Sequence, residues 1–96
     1  MHNINLGIQI VPKSNKLDTY KLVDKAIAVI SASGVKYEVT PFETVMEGPE
    51  GLLMDIARKA QQAVLDAGAD EILVYYRMQI RPSGDVTMDE KVLKHR

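Results

Sequence analysis

The chain has 96 residues, 12 basic and 13 acidic, and a formal net charge of -1. That length fits one domain, residues 1–96, with one contiguous core. The even charge argues against a dedicated nucleic-acid binder, and the absence of cysteine excludes a disulfide framework and a thiolate metal site.

Ile4 to Val11 alternates apolar with small or polar residues, the period of a strand with one buried face. Ile4, Leu6, Ile8 and Ile10 point inward; Asn5, Gly7, Gln9 and Val11 point outward. Pro12 is expected to end this strand, because it has no N–H for a ladder. Asp18 is placed to cap a helix. Tyr20, Val23, Ile27 and Ile30, with Ala26 beside them, form its apolar stripe. Gly34 suits the left-handed residue past the helix end.

Val35 to Thr40 alternates again, with Val35, Tyr37 and Val39 inward and Lys36, Glu38 and Thr40 outward. Pro41 marks a turn or bulge, and Phe42 to Glu47 returns as a third strand. A bulge near Pro41 would invert its alternation, so its facing stays open. Pro49 and Glu50 open a second helix. Its stripe runs through Leu52 or Leu53, then Ile56, Ala60, Ala63, Val64 and Ala67, and Gly68 ends it.

Residues 71–80 form the longest strand. Ile72, Val74, Tyr76, Met78 and Ile80 make one face; Leu73, Tyr75, Arg77 and Gln79 make the other. After a turn-rich loop at 81–85, Thr87 and Glu90 fit a capping box. The tail through Arg96 is expected to hold one or two frayed, solvated turns of helix. The order strand, helix, strand, strand, helix, strand predicts an α+β, ferredoxin-like βαββαβ fold. Two right-handed crossovers place both helices on one face of a four-stranded antiparallel sheet.

The other face then stays open. It mixes Val11, Leu73 and Tyr75 with Asn5, Gln9, Glu38, Thr40, Arg77 and Gln79. Apolar residues there favour contact with another surface, and polar ones need partners if covered. The Thr40–Gly48 hairpin brings two hydroxyls and two carboxylates to this region.

Other functions of such folds lack their residues. There are no thiols for copper, the first strand has no aromatic for stacking RNA bases, and the loop after Val11 has no Arg or Gly to cradle an anion. His2 and His95, at opposite ends of the chain, offer neither a metal site nor a Ser/His/Asp arrangement. Glu43 and Glu47 as an acid/base pair is the one catalytic arrangement available; a solvated or salt-bridged pair is the simpler reading. No apolar run approaches the roughly 18 residues of a membrane span. The N-terminus has no signal-peptide pattern. A cytoplasmic protein with no membrane or nucleic-acid partner is expected.

Four stretches carry a resemblance over nearly the whole chain. They are Ile8-Gln9-Ile10-Val11-Pro12, Gly34-Val35-Lys36-Tyr37, Thr40-Pro41-x-x-Thr44-Val45-x-Glu47-Gly48, and Thr87-Met88-x-x-Lys91. Together they resemble the small thiamine-binding (YkoF-like) proteins, long a domain of unknown function. The resemblance implies a ferredoxin-like fold, a homodimer or homotetramer, and binding of thiamine or its hydroxymethyl-pyrimidine moiety, with no catalysis and no cofactor. The chemistry agrees. An aminopyrimidine edge needs an acceptor and a donor, which Gln9, Thr40 and Thr44 supply. A thiazolium cation favours a carboxylate, Glu43 or Glu47, or an aromatic face, and Met46 packs on a flat ring. The alternative is an oligomerisation module with no small-molecule ligand.

Overall fold

The computed structural model describes residues 2–95; Arg96, where the expected tail ends, lies outside them. The elements are β1 (Asn3–Lys13), α1 (Thr19–Ala32), β2 (Lys36–Val39), β3 (Thr44–Pro49), α2 (Glu50–Asp66), β4 (Glu71–Gln79) and a short α3 (Asp89–Val92) leading into a 3-10 turn. The four strands form one antiparallel sheet in the order β2-β3-β1-β4. This is the ferredoxin-like fold expected, with a third, short helix added.

One sheet face packs under α1 and α2. Ile4, Leu6, Ile8 and Ile10 of β1 meet Leu22, Ala26 and Ile30 of α1 and Leu53, Ile56, Ala57, Ala60 and Val64 of α2. The caps follow the sequence. Asp18 accepts from the Tyr20 N–H at 2.9 Å. Gly34 and Gly68 hold φ of +83° and +110°, a region that disfavours any residue with a Cβ.

Several expected facings change. On α1, Ala26 and Ile30 are buried as expected, Val23 and Ile27 are half-buried, and Leu22 is buried while Tyr20 is 82% exposed. Tyr20 and Leu22 each stand three or four residues before an apolar position, and contact with α2 and β1 selects the aliphatic one. On α2 Leu53 is buried and Leu52 is exposed. Tyr37 and Val39 share the helix side with Met46 and Thr44 but remain exposed, because β2 is an edge strand beyond the reach of the helices. Met78, late on the other edge strand, and Ile80, just past its end, are exposed as well.

Pro12 does not end β1, which continues to Lys13 beside β4. The Lys13 carbonyl accepts from Asp70 N–H at 2.9 Å, so the Pro12 nitrogen one residue earlier faces the opposite edge. There β3 has already stopped, its pairing with β1 ending at Ile8↔Thr44. The missing N–H therefore costs no ladder bond.

The second sheet face is not fully open. Residues 85–92 fold back across it. Val86 N–H donates to the Asn3 carbonyl at 3.0 Å, and Asn5 Nδ2 donates to the Val86 carbonyl at 3.1 Å. Met88 N–H donates to Glu47 Oε1 at 2.6 Å. Val86 and Met88 are buried, and so is Asn5, at 4% exposure. Residues 85–92 are therefore a second, partial layer, and the turns of helix expected of the tail fall at Asp89–Val92 and Leu93–His95.

Candidate functional site

The β1–β3 register fixes which side chains reach this second face. Leu6 pairs with Met46 and Ile8 with Thr44, whereas Asn5 pairs with Glu47 and Gly7 with Val45. Side chains directly opposite in a ladder share a face. Thr44 and Met46 therefore enter the core under the helices, where both are buried. Val45 and Glu47 lie on the tail side, and Glu43 reaches the same side.

Two adjoining cavities open there, one between the tail and β4 and one between the tail and the β2–β3 hairpin. One, of about 230 Å³, is lined by Asn5, Gly7, Glu43, Val45, Arg77 and Lys91 among others. Its neighbour, of about 180 Å³, is lined by Glu38, Thr40, Met88 and Val92 and shares Asn5, Val45 and Lys91 with the first. They form one trough with two characters. The end beside Val45, Met88 and Val92 has an apolar wall, and the other end is charged.

The charged end is built on Gly7. Glu43 lies across this residue so closely that a Cβ there would collide with its carboxylate. A glycine inside a strand signals such a close approach. The Glu43 side chain is 21% exposed, and Arg77 approaches it at 3.6 Å from β4. Glu43 is delivered by the turn before β3. Thr40 Oγ1 donates to the Glu43 carbonyl at 2.6 Å and accepts from its N–H at 3.1 Å, while Thr40 N–H donates to the same carbonyl at 2.9 Å. On the tail side, Lys91 Nζ donates to Asn5 Oδ1 at 2.6 Å.

Of the residues expected at a site, the trough gathers Thr40 and Glu43. Thr40 closes the turn and keeps an acceptor lone pair. Glu47 holds the tail through Met88. Gln9 shares this sheet face, opposite Tyr75, two residues beyond Gly7 on the side away from Asn5, and does not line the trough. Thr44 and Met46 lie on the far side of the sheet. Asn5 and Arg77, expected on this open face though not as site residues, line it too, whereas Gly7 and Lys91 are lining residues that sequence reasoning did not bring to it. Gly7 and Asn5, interrupting a strand of isoleucines, were the available signals.

A larger cavity, about 550 Å³, lies at the start of α2 and is lined by His2, Ile4, Glu50, Gly51, Ile80, Arg81 and Pro82. Its Arg81 and His2 already have partners. Arg81 donates to Glu90 and to the Asp85 carbonyl, each at 2.9 Å, and His2 stands 3.7 Å from Asp85. Among the described residues no group of His, Cys, Asp and Glu could hold a metal ion, and no helix is long and apolar enough to cross a membrane.

Comparison with known proteins agrees with the fold and gives the family. The family described as "Thiamine-binding protein" matches residues 6–96. A UPF0045 protein of Clostridium perfringens is 40% identical over 96 residues, the whole of both chains. A domain of unknown function, DUF77, from Bacillus cereus superposes with a TM-score of 0.95 at 44% identity, covering 99% of this chain and 91% of that one. A Thermotoga maritima protein assigned provisionally to thiamine biosynthesis or salvage superposes at 0.88 with 29% identity, covering 98% of this chain and 99% of the other.

Proposed function

Because this chain belongs to the thiamine-binding protein family, we propose that it is a cytoplasmic, non-enzymatic binding protein for thiamine or its hydroxymethyl-pyrimidine moiety, acting as a homo-oligomer. The observation that carries this reading is the two-part trough. Val45, Met88 and Val92 offer apolar surface for a flat ring, with Thr40 and Glu38 at its edge. Glu43, mostly shielded from water, offers a carboxylate for a cationic ring at the other end. Partial burial strengthens that attraction over its value in water.

Size sets a limit. Pockets for drug-sized ligands span roughly 300–1,000 Å³. Cavities of about 230 and 180 Å³ each suit one ring, so a two-ring ligand needs both. The trough is also open on its outer side. A second copy packed on the exposed Leu73 and Tyr75 of the same face would close it.

The alternative, an oligomerisation module with no ligand, expects the polar groups of 40–48 to pair across a subunit interface and leave no ligand-sized space beside the hairpin. Two cavities beside that hairpin weigh against it.

Isothermal titration of the protein at a measured oligomeric state, with thiamine, hydroxymethyl-pyrimidine and thiamine pyrophosphate, tests the reading. Saturable binding at a simple ratio to subunits or dimers is expected. No heat for any of the three, across several temperatures, would leave the oligomerisation module as the better account.

A further inference from the structure

The charged end of the trough holds more positive than negative charge. Its lining includes Arg77 and Lys91 against Glu43, while Glu38 lines the adjoining cavity that Lys91 also borders. A ligand group that was only cationic would satisfy Glu43 and face two like charges. A group carrying an anion beside the cation satisfies all three.

Lys91 is set for such a role. Its ammonium rests on a neutral acceptor, Asn5 Oδ1, at 2.6 Å. Three protons on the ammonium leave two beyond this bond. Asn5 is itself fixed, since it is 4% exposed and its amide donates to Val86 at 3.1 Å. That bond orients Oδ1 toward Lys91. Arg77 reaches the same cavity from β4. Its side chain is 79% exposed, and its pairing with Glu43 at 3.6 Å is loose for a fork that makes bidentate bonds near 2.8 Å with oxyanions.

We propose that Lys91 and Arg77 form an anion-reading subsite of this trough, so that the preferred ligand is a phosphate ester rather than the free alcohol. This rests on the thiamine-class reading for the rest of the ligand. The tail thereby contributes a specificity residue as well as a wall.

The test is calorimetric titration of the whole protein with thiamine, thiamine monophosphate and inorganic phosphate, for the wild type, Lys91→Met and Arg77→Gln. The wild type is expected to bind the ester about tenfold or more tightly than thiamine, as charge-assisted bonds to phosphate allow. Each substitution is expected to bring that ratio close to one. Added salt should lower ester affinity more than thiamine affinity. Arg77→Gln, at an exposed side chain, carries the test if Lys91→Met loosens the tail. Equal wild-type affinities for thiamine and its ester overturn the subsite and leave the thiamine reading standing. So does a ratio that survives both substitutions. Phosphate binding that depends on Lys91, with no binding of either thiamine compound, upholds the anion subsite and overturns the thiamine reading. Binding of none of the three overturns both.

Discussion

The carboxylate of Glu43 lies on the bare backbone of Gly7, in space that a Cβ would occupy. The floor of the trough is thus set by what residue 7 lacks. Gly7→Ala would displace the far end of a flexible side chain, not backbone, so the fold should tolerate it. Alanine also lowers the entropy of the unfolded chain. Stability is expected to stay within about 1 kcal/mol of wild type, while ligand affinity falls about tenfold as the carboxylate is lifted. A second measurement isolates the cause: in a Glu43→Gln background, Gly7→Ala should add little. Full wild-type affinity in Gly7→Ala would show that the position of this carboxylate does not matter.

Met46 and Thr44 belong to the core side of the same strand. Met46 is fully buried opposite Leu6, so Met46→Ala removes packed volume. Its expected cost is about 2–5 kcal/mol, by analogy with other large-to-small core changes. Thr44→Val keeps the shape and should leave ligand affinity within about twofold. Denaturant unfolding and titration of the two variants separate these effects. A stable Met46→Ala with weakened binding would instead place the thioether in contact with ligand.

How far these roles were legible depends on what sets them. Element order came from periodicity, and the ends of α1 and α2 came from local chemistry at Asp18, Gly34 and Gly68. The facing of β3 did not, because alternation gives two faces without saying which is inward. The pairing Leu6↔Met46 decides it. The first turn of α1 was ambiguous in the same way, since Tyr20 stands at helical spacing from Val23 and Ile27, and Leu22 from the buried Ala26 and Ile30. The tail reads as solvated because Thr87, Glu90 and Lys91 look like a cap and a polar helix, and Val86 and Met88 are isolated apolar residues with no period. Their burial depends on Asn5 and Glu47, some 81 and 41 positions earlier. Contacts of that range leave no local trace, and so the residues lining the trough stayed scattered in the sequence.

Glu47 is such a long-range tie. Its carboxylate accepts from the Met88 N–H at 2.6 Å, beneath a tail whose other anchors include Lys36–Asp89 at 2.9 Å. That ion pair is about half exposed on both sides and contributes little. Glu47→Ala removes the stronger tie and leaves a donor without its acceptor. A loss of about 1.5–3 kcal/mol is expected, typical of a hydrogen bond to a charged group. Amide exchange locates it: protection at Met88 and Val86 should drop well before protection at Leu6. Unchanged exchange at Met88 would mean that the tail is held by its apolar contacts alone.

Acid should loosen the loop that leads into this tail. Glu90 accepts from Arg81 at 2.9 Å and from Thr87 N–H at 2.8 Å. First the Arg81 bond and then the Thr87 bond hold its pKa at about 2, below the ordinary 4.5. A depressed carboxylate pKa stabilises the fold above the unfolded value, and that contribution is lost as pH falls through the folded one. The effect should therefore be complete above about pH 5 and fade between 4.5 and about 2. Side-chain carbon shifts of Glu90 should titrate near the lower end, with amides of Thr87 and Glu90 losing protection in step. Glu90→Gln should remove that acid dependence. A Glu90 midpoint at the ordinary value would show that the Arg81 bond does not persist in solution.

The uncovered part of the tail-side face gives the last expectation. Leu73 and Tyr75 are 39% and 52% exposed on β4, which is also an edge strand nine residues long. Edge strands of this length are normally shielded by charge, by proline or by a partner. This one has only Glu71 and Arg77 as charged residues and no proline. A second copy on this face would bury both side chains and close the trough from outside. Leu73→Lys combined with Tyr75→Glu should leave the subunit folded, since neither side chain enters the core. It should shift the mass measured by sedimentation equilibrium from oligomer to monomer. Ligand affinity should fall with it, because the outer wall is lost. A wild-type protein that is monomeric at high micromolar concentration would remove the second copy from the site. A monomeric variant with undiminished affinity would confine the site to one subunit.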